Sequence, residues 1–507
     1  MFIYKKSKLN NGLQLWQTYL PNTHSISIGL FVKAGVQYEK KNFIGISHLL
    51  EHLHFRELNN MNQDDLYYLM ESMGTTLRAE TYRDFIYFHM KVLPKYFEKT
   101  LDIWKGILQT HNWSIDALEK EKEVVIRQIA EYSDFNIDTI SRQNYMGNIS
   151  LSNQIMGSLE GIKKITSEDI LEHKKNFFSS TNMVMCISGN FDKDAIEHIN
   201  EKIGKIRLPN RNLNENCEFP KNFGKRKSDF LIDDNNWNIC EVDICFDIDV
   251  NLYDLKQIDV LNCILGEGVG SKLQKVLREN YGLSSDISSF VEKYKYFEFL
   301  HIRFSVEREN LLFSLELVVN VLNGLKKKII VGDLNVAVPF YTDCYDFLLD
   351  DPEELNFMNG WNEFVLGRPF GRYDCIEKSP NIYSQIAKRL FIKSNLSLTI
   401  LGKDCCQIKK SINQIIEKIV TSNAREENPE EGNQMSQTEI NRFNAKFEFY
   451  TGDGVSTENV KNLLSVVKDN LGNYQITEVE DQQNSNNKKV NIRIDIEKDK
   501  VDEEGIN

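Results

Sequence analysis

The 507 residues contain no apolar run approaching the ~20 needed to span a bilayer. The opening Met1-Phe2-Ile3-Tyr4-Lys5-Lys6 passes straight into polar Ser7, Asn10 and Asn11 and does not read as a secretory leader. A membrane span is not expected, and the cytoplasm is the expected compartment. Cysteine is sparse: nine residues, an odd number, with no Cys-x-x-Cys spacing and only Cys405 and Cys406 adjacent. This excludes a disulfide scaffold and predicts reduced, buried, structural thiols. An excess of basic residues is also missing. Lys and Arg number 61 against 74 Asp and Glu, a net charge of -13. Such a chain repels nucleic acid and anionic membrane in the mean, and a basic peptide is the easier partner.

What is present is the balance of a globular protein, 41% apolar, 27% charged and 11% aromatic. The length suits about three domains. Alternation over Ser25 to Val32 predicts a half-buried strand, and Thr81 to Val92 and Asn182 to Ser188 also read as strands. Helical spacing runs from Ile44 to Phe55, Gln63 to Met73, Lys95 to Gln109, Ile115 to Tyr132 and Lys193 to Lys202. Residues 1–206 therefore read as one α+β unit. Residues 207–228, polar and without period, read as a linker. Over 229–423 the order recurs: strands at Ile239 to Phe246, Glu298 to Val306 and Leu396 to Leu401, and helices at Ile258 to Leu265, Leu273 to Arg278 and Leu311 to Lys327. Residues 424–441 have linker composition. Residues 442–507 are expected to form a small strand-helix-strand module, from Lys446 to Tyr450, Glu458 to Leu471 and Val490 to Ile496, with a disordered tail.

The chemistry concentrates at His48-Leu49-Leu50-Glu51-His52. Two imidazoles at i and i+4 stack on one helical face at a separation one metal ion bridges, and Glu51 precedes the second of them. The alternative is a helix whose histidines merely share a face. H-x-x-E-H is the inverted zincin string, in which the histidines bind Zn2+ and the Glu activates water.

The surrounding residues extend the pattern. Asn11-Gly12-Leu13, Ser25 to Gly29, Ala34-Gly35, Gly45 to His52, Phe55, Glu71 to Gly74, Ala79-Glu80-Thr81, Lys91 to Leu93 and Leu118 to Lys122 appear in order. They are followed by Leu265-Gly266-Glu267-Gly268-Val269-Gly270-Ser271-Lys272-Leu273 and Leu277 to Leu283. Together they resemble the pitrilysin/insulinase family of zinc metallopeptidases, especially its mitochondrial-processing-peptidase-like branch, over about residues 5 to 423. The resemblance implies an α+β fold of two similar sheet-plus-helix halves forming a clamshell, with residues 424–507 as an addition. It implies Zn2+ held by His48 and His52, Glu51 as proton acceptor, Glu121 as an acidic residue near the metal, and an edge strand at Ala79 to Thr81 to which an extended peptide adds.

Two positions depart from the family pattern. Its third ligand is a Glu, and the matching position here is Gln128, a weaker donor than a carboxylate. Glu131, one turn on, is the alternative ligand. In the second half, Arg278 matches a substrate-binding Arg, but the Tyr seven residues later is Ser285. The implied activity is a zinc metalloendopeptidase acting on peptides or small unfolded proteins, as a homo- or heterodimer with a similar chain. The alternatives are a catalytically weak or inactive partner subunit of a heterodimeric peptidase and, behind it, a scaffold protein of the same fold.

Other signals read as structural. The run Gly266, Gly268, Gly270 lacks the order of a phosphate loop and is expected to be a strand-to-helix turn. His54 lies two residues past His52 and so points off the metal face. His24, His89, His111, His173, His198 and His301 are isolated in sequence, and Lys326-Lys327-Lys328 complements a helix C-terminus.

Overall fold

Apolar runs at Ile26–Val32 (β3), Ile86–Val92 (β7) and Met183–Gly189 (β8) are buried at nearly every position, so their sheet is covered on both faces. The computed structural model describes residues 3–58, 61–110, 112–131, 136–211, 218–220, 223, 224, 226, 238–371 and 376–419. It also describes the backbone of 229–233, 443–451, 475–484 and 487–496. Two compact units divide the chain, Met1–Asn423 and Ala424–Asn507.

In the first unit, β1 (Ile3–Lys8), β2 (Gln14–Tyr19) and β3 lead into α1 (Ile46–Arg56). A short β4 (Glu57–Leu58) and β5 (Met61–Asn62) pair before α2 (Gln63–Ser72), β6 (Leu77–Thr81) and β7. Next come α3 (Phe97–Leu108), α4 (Ile115–Glu131), α5 (Ile137–Met146), α6 (Leu159–Lys164), α7 (Ser167–Phe177), β8 and α8 (Lys193–Lys202). The second half runs β9 (Asp229–Asp233), β10 (Ile239–Asp249), α9 (Leu255–Asn262), β11 (Ser288–Lys293), β12 (Phe297–Glu307), α10 (Leu311–Lys327) and α11 (Val331–Thr342). It continues with α12 (Cys344–Leu348), α13 (Pro352–Asn359), α14 (Pro380–Leu390), β13 (Leu396–Leu401) and α15 (Lys409–Ile416).

The repetition expected between the halves is topological. The first sheet runs β6-β7-β3-β8-β2-β1 and the second β11-β12-β10-β13-β9. In each, an edge hairpin is followed by antiparallel neighbours, and then by one parallel pair, β8 with β2 and β13 with β9. The second sheet lacks only a counterpart of β1.

The halves are not self-contained, because each lends a helix to the other. Ile28, Leu30 and Val32 of β3 pack with Leu49, Leu50 and Leu53 of α1, while Phe31 faces the opposite way, toward Phe364 and Val365. On that second face α13 crosses from the other half. Asn356 donates to Ser27 O at 2.9 Å and accepts from Ser188 Oγ at 2.5 Å. Reciprocally, α5 lies on β10 and β13, where Tyr145 and Met146 pack with Phe297 and Phe299 and Asn144 donates to Leu398 O at 3.1 Å. The half-buried strand expected at Ser25 to Val32 is therefore corrected to one buried on both sides. At the end of α13, Gly360 rests on the Phe31 ring, where a Cβ would meet ring carbon at 2.0 Å. Gly360→Ala is expected to lower stability by about 1–3 kcal/mol through overpacking, seen as an earlier urea midpoint with unchanged slope.

Other expectations shift. The single strand Thr81 to Val92 is two, β6 and β7, joined by a turn in which Tyr82 N donates to Phe85 O at 2.8 Å. The Gly266 run is no strand-to-helix turn: α9 continues as a π-helical stretch, Cys263–Glu267, and Gly266 packs on Ser289. The helix expected at Leu273 to Arg278 is a π-helical stretch, Gln274–Asn280. None of the described cysteines is in a disulfide, but Cys344 and Cys406 are exposed and not buried. His301 is no isolated packing residue, since its Nδ1 lies 3.0 Å from Asp243 Oδ1 in the buried interior. Among the described residues no helix is long and apolar enough to cross a membrane.

The second unit contains β14 (Phe443–Thr451), β15 (Gln475–Asn484) and β16 (Asn487–Ile496) in the order β14-β15 flanking β16. Strands expected at Lys446 to Tyr450 and Val490 to Ile496 fall inside β14 and β16, and β15 was not anticipated. The helix expected at Glu458 to Leu471 and the linker 424–441 lie outside the described residues.

Candidate metallopeptidase site

α1 carries the His-x-x-Glu-His string and is fixed at both ends. Its first turn follows Gly45, which has a left-handed φ of 99° and a place where a Cβ would come within 2.7 Å of Gly157 Cα. Glycine satisfies both demands. The Glu39 carboxylate caps this turn, accepting from Gly45 N at 2.8 Å and Ser47 N at 2.9 Å. Burial pushes Glu39 up to about 7, opposed by those backbone donors. In the last turn, His54 Nδ1 lies 2.7 Å from Leu50 O, so that nitrogen donates and Nε2 accepts from Lys174 Nζ on α7 at 2.9 Å. Lys174 is fully buried beside the Trp113 and Phe178 rings. His54 thus points off the metal face, as the helical spacing required.

His48 and His52 share the other face of α1, with ring centroids 4.6 Å apart and planes at 70°. Burial, and then the neighbouring His52, hold His48 down to about 3, so it is neutral at pH 7. His52 Nδ1 lies 3.0 Å from Glu121 Oε2 on α4, and Arg56 grips the other Glu121 oxygen. Burial alone would raise the Glu121 carboxyl, but hydrogen bonds from His52 and Arg56 outweigh it and hold it below its usual range. A carboxylate there fixes the His52 tautomer as Nδ1–H and leaves Nε2 with its lone pair for a metal.

Glu51 is 8% exposed, and its Oε2 accepts from Thr81 Oγ1 at 2.5 Å. Burial raises its carboxyl, and the Thr81 bond opposes this in part. Thr81 ends β6, which pairs with β7 on one side and is the outer strand of its sheet. Ala79 lies on the same strand, opposite Phe88. The structure therefore gives Thr81 a hydroxyl contact to Glu51 that its expected place on an edge strand did not announce.

Gln128 lies two turns beyond Glu121 on α4, with Oε1 buried and without a hydrogen-bond partner. His48 Nδ1 is buried and unpartnered in the same way. Buried polar atoms left unpaired cost about 1–3 kcal/mol each, and an absent ion is one explanation for them. The donors fit a divalent cation: two imidazoles, that of His48 held neutral by burial, and one amide oxygen. Glu131, the alternative ligand, is exposed at the end of α4. No three His, Cys, Asp or Glu side chains gather as metal donors among the described residues.

Arg278 and Ser285 are exposed in the second half, and no described contact brings them to this cluster. Arg83 is engaged elsewhere, donating to Leu151 O at 2.8 Å and Asn153 O at 2.6 Å. The roles of Glu39, Arg56 and Lys174 were missed from sequence. Glu39 had one signal, an acidic residue shortly before a helix start; the other two had none.

Two paired sheets with swapped helices and a His-x-x-Glu-His helix facing an edge strand define a two-half metallopeptidase architecture. The family model for insulinase, peptidase family M16, matches residues 17–158, and the model for the peptidase M16 inactive domain matches 164–337. The chain belongs to peptidase family M16. It is 31% identical over 202 residues to the mitochondrial-processing peptidase subunit beta of Saccharomyces cerevisiae, covering 39% of this chain and 44% of that subunit, less than half its length. It is 23% identical to the uncharacterized zinc protease YmxG of Bacillus subtilis, covering 72% of this chain and 89% of that protein. In fold it is similar to a crystal structure of a protease from Helicobacter pylori, with TM-score 0.71 at 17% identity over 79% of this chain and 100% of that one. It is also similar to a chain of complex III2 from Candida albicans, with TM-score 0.65 at 15% identity over 82% and 99%.

Proposed function

We propose that this chain is a zinc-dependent endopeptidase acting on peptides or small unfolded proteins. The observation that carries the proposal is the pair of histidines on one face of α1, with Glu51 beside them and the orphaned Gln128 oxygen buried on α4. His48, His52 and Gln128 would hold the ion, which supplies Lewis acidity for water activation and carbonyl polarisation when bound. Glu51 takes a proton from the attacking water at its carboxylate and returns it to the leaving amine. The Thr81 hydroxyl orients that carboxylate through Oε2. Glu121 keeps the His52 proton on Nδ1. The outer edge of β6 offers main-chain groups to an extended peptide, which gives affinity without strict sequence choice. The sparse cysteines, with no Cys-x-x-Cys spacing, are what a cytoplasmic setting requires.

A second reading, a weak or inactive partner subunit, is favoured by Gln128 where the family pattern has a carboxylate and by Ser285 where it has Tyr. A named subunit beta among the relatives supports assembly with a similar chain. The two readings separate on zinc-loaded full-length chain incubated with an unstructured peptide pool. The peptidase reading predicts cleavage that a chelator stops and added zinc restores. Absence of cleavage until a similar partner chain is supplied would favour the second reading.

A further inference from the structure

We infer that Cys240 and Cys405 form an oxidisable dithiol, a built modification site in the second half, independent of whether the chain cuts peptides. Their Sγ atoms lie 3.5 Å apart, and both residues are fully buried. The surrounding chain is shaped to bring them together. β10 pairs with β13 so that Glu241 faces Leu401, which sets Gly402 opposite Cys240. A Cβ on Gly402 would stand 2.5 Å from Cys240 Sγ, so glycine leaves the space that the sulfur fills. Two residues later Asp404 has a φ of 54°, the one non-glycine residue in the left-handed region among the described residues. That conformation costs of order 1–3 kcal/mol unless the surroundings hold it. It starts the short turn Cys405–Ile408.

Arg308, directly after β12, holds this turn from the other side. It donates Nε to Lys403 O at 2.9 Å and Nη2 to Asp404 O at 3.1 Å, which sets a guanidinium beside the thiols. The contrast with the other buried cysteines is sharp. Burial pushes the Cys245 and Cys263 thiols up to about 11 and Cys186 further still. The Cys240 thiol is lowered, first by its hydrogen bond with Cys405 and then, against burial, by Arg308. The thiolate is the reactive form, and the Arg308 guanidinium beside the pair favours it, with Cys240 taken as the attacking sulfur.

The oxidant must be small to reach two buried sulfurs, and hydrogen peroxide fits. The Cys240 thiolate attacks one peroxide oxygen, the O–O bond breaks, and the hydroxide released takes up a proton to leave as water. Cys240 is then a sulfenic acid. The Cys405 thiol gives up its proton and attacks the Cys240 sulfur, the S–O bond breaks, and hydroxide leaves with that proton as water. Two thiols are thereby oxidised to one disulfide and one peroxide is reduced to two waters. The bond joins residues 165 apart in sequence, tying the start of β10 to the turn after β13.

Exposed Cys406 and Cys344 are internal controls, since exposure alone would direct oxidation to them. The test treats full-length native protein with hydrogen peroxide, unfolds it, alkylates remaining thiols and maps the cysteines by mass spectrometry. The expected result is a Cys240–Cys405 linked peptide in wild type and in Cys406→Ser, reversed by dithiothreitol and absent from Cys240→Ser. Recovery of Cys240 and Cys405 as alkylated thiols while Cys406 or Cys344 carries the oxidation would overturn the inference. The wild-type map decides the matter even where Cys240→Ser fails to fold.

Discussion

Replacing Glu51 with Gln is expected to slow peptide hydrolysis by about 10²–10⁴-fold, the usual worth of a positioned general base. Zinc content should stay at the wild-type level. On the proposed reading Glu51 moves a proton and does not bind the ion: its contact is the Thr81 hydroxyl, while the imidazoles stand on the adjoining face of α1. The substitution is close to isosteric, and the Gln side-chain oxygen can still accept from Thr81. The fold and the metal donors are therefore left in place, and the loss appears in kcat. Loss of zinc together with activity would mean that Glu51 is a ligand, and undiminished activity would remove it from the mechanism.

The second large effect is a pH dependence of stability carried by Lys174. Burial brings its amine down to about 7 from the ordinary 10.5. In that window the unfolded chain holds a proton that the native chain has released, so unfolding binds protons and stability rises with pH. The penalty for burying the charged amine is fully present below about 7 and gone above 10.5. This gap corresponds to about 5 kcal/mol at most. The neighbours explain why the lysine is tolerated at all: His54 Nε2 accepts from it at 2.9 Å, and the Trp113 and Phe178 rings face it at 5.0 and 5.2 Å. Lys174→Met is expected to flatten the rise of the urea midpoint between pH 7 and 10 relative to wild type. Parallel curves for the two proteins would show that Lys174 stays charged in the native state.

Local pattern was enough to find the His-x-x-Glu-His helix, because i and i+4 spacing is a property of eleven consecutive residues, Ile46–Arg56. It was also enough for the central strands repeated in each half, β3, β7 and β8 and then β10, β12 and β13, but not for β1, β2, β9 or β11. What escaped depends on residues far apart in the chain. Burial of β3 on its second face comes from Asn356 and Phe364, more than three hundred residues away, and no periodicity within β3 reports it. Separations of 30, 120 and 165 residues likewise hide the Glu51–Thr81 bond, the Lys174–His54 contact and the approach of Cys240 to Cys405. Gln128 was visible as a departure from a pattern, but the pattern left Glu131 open as a substitute. At the end of α4 Gln128 keeps a buried oxygen while Glu131 is exposed, and the proposed reading takes Gln128.

On the proposed reading Gln128 completes a working zinc site with His48 and His52. Zinc affinity measured by competition with a chelating indicator, for wild type and for Gln128→Glu, decides this. One zinc per wild-type chain is expected, with binding by Gln128→Glu roughly tenfold tighter or more, since a carboxylate replaces an amide at a ligand position. Failure of wild type to bind zinc, or an affinity that Gln128→Glu leaves unchanged, would contradict it.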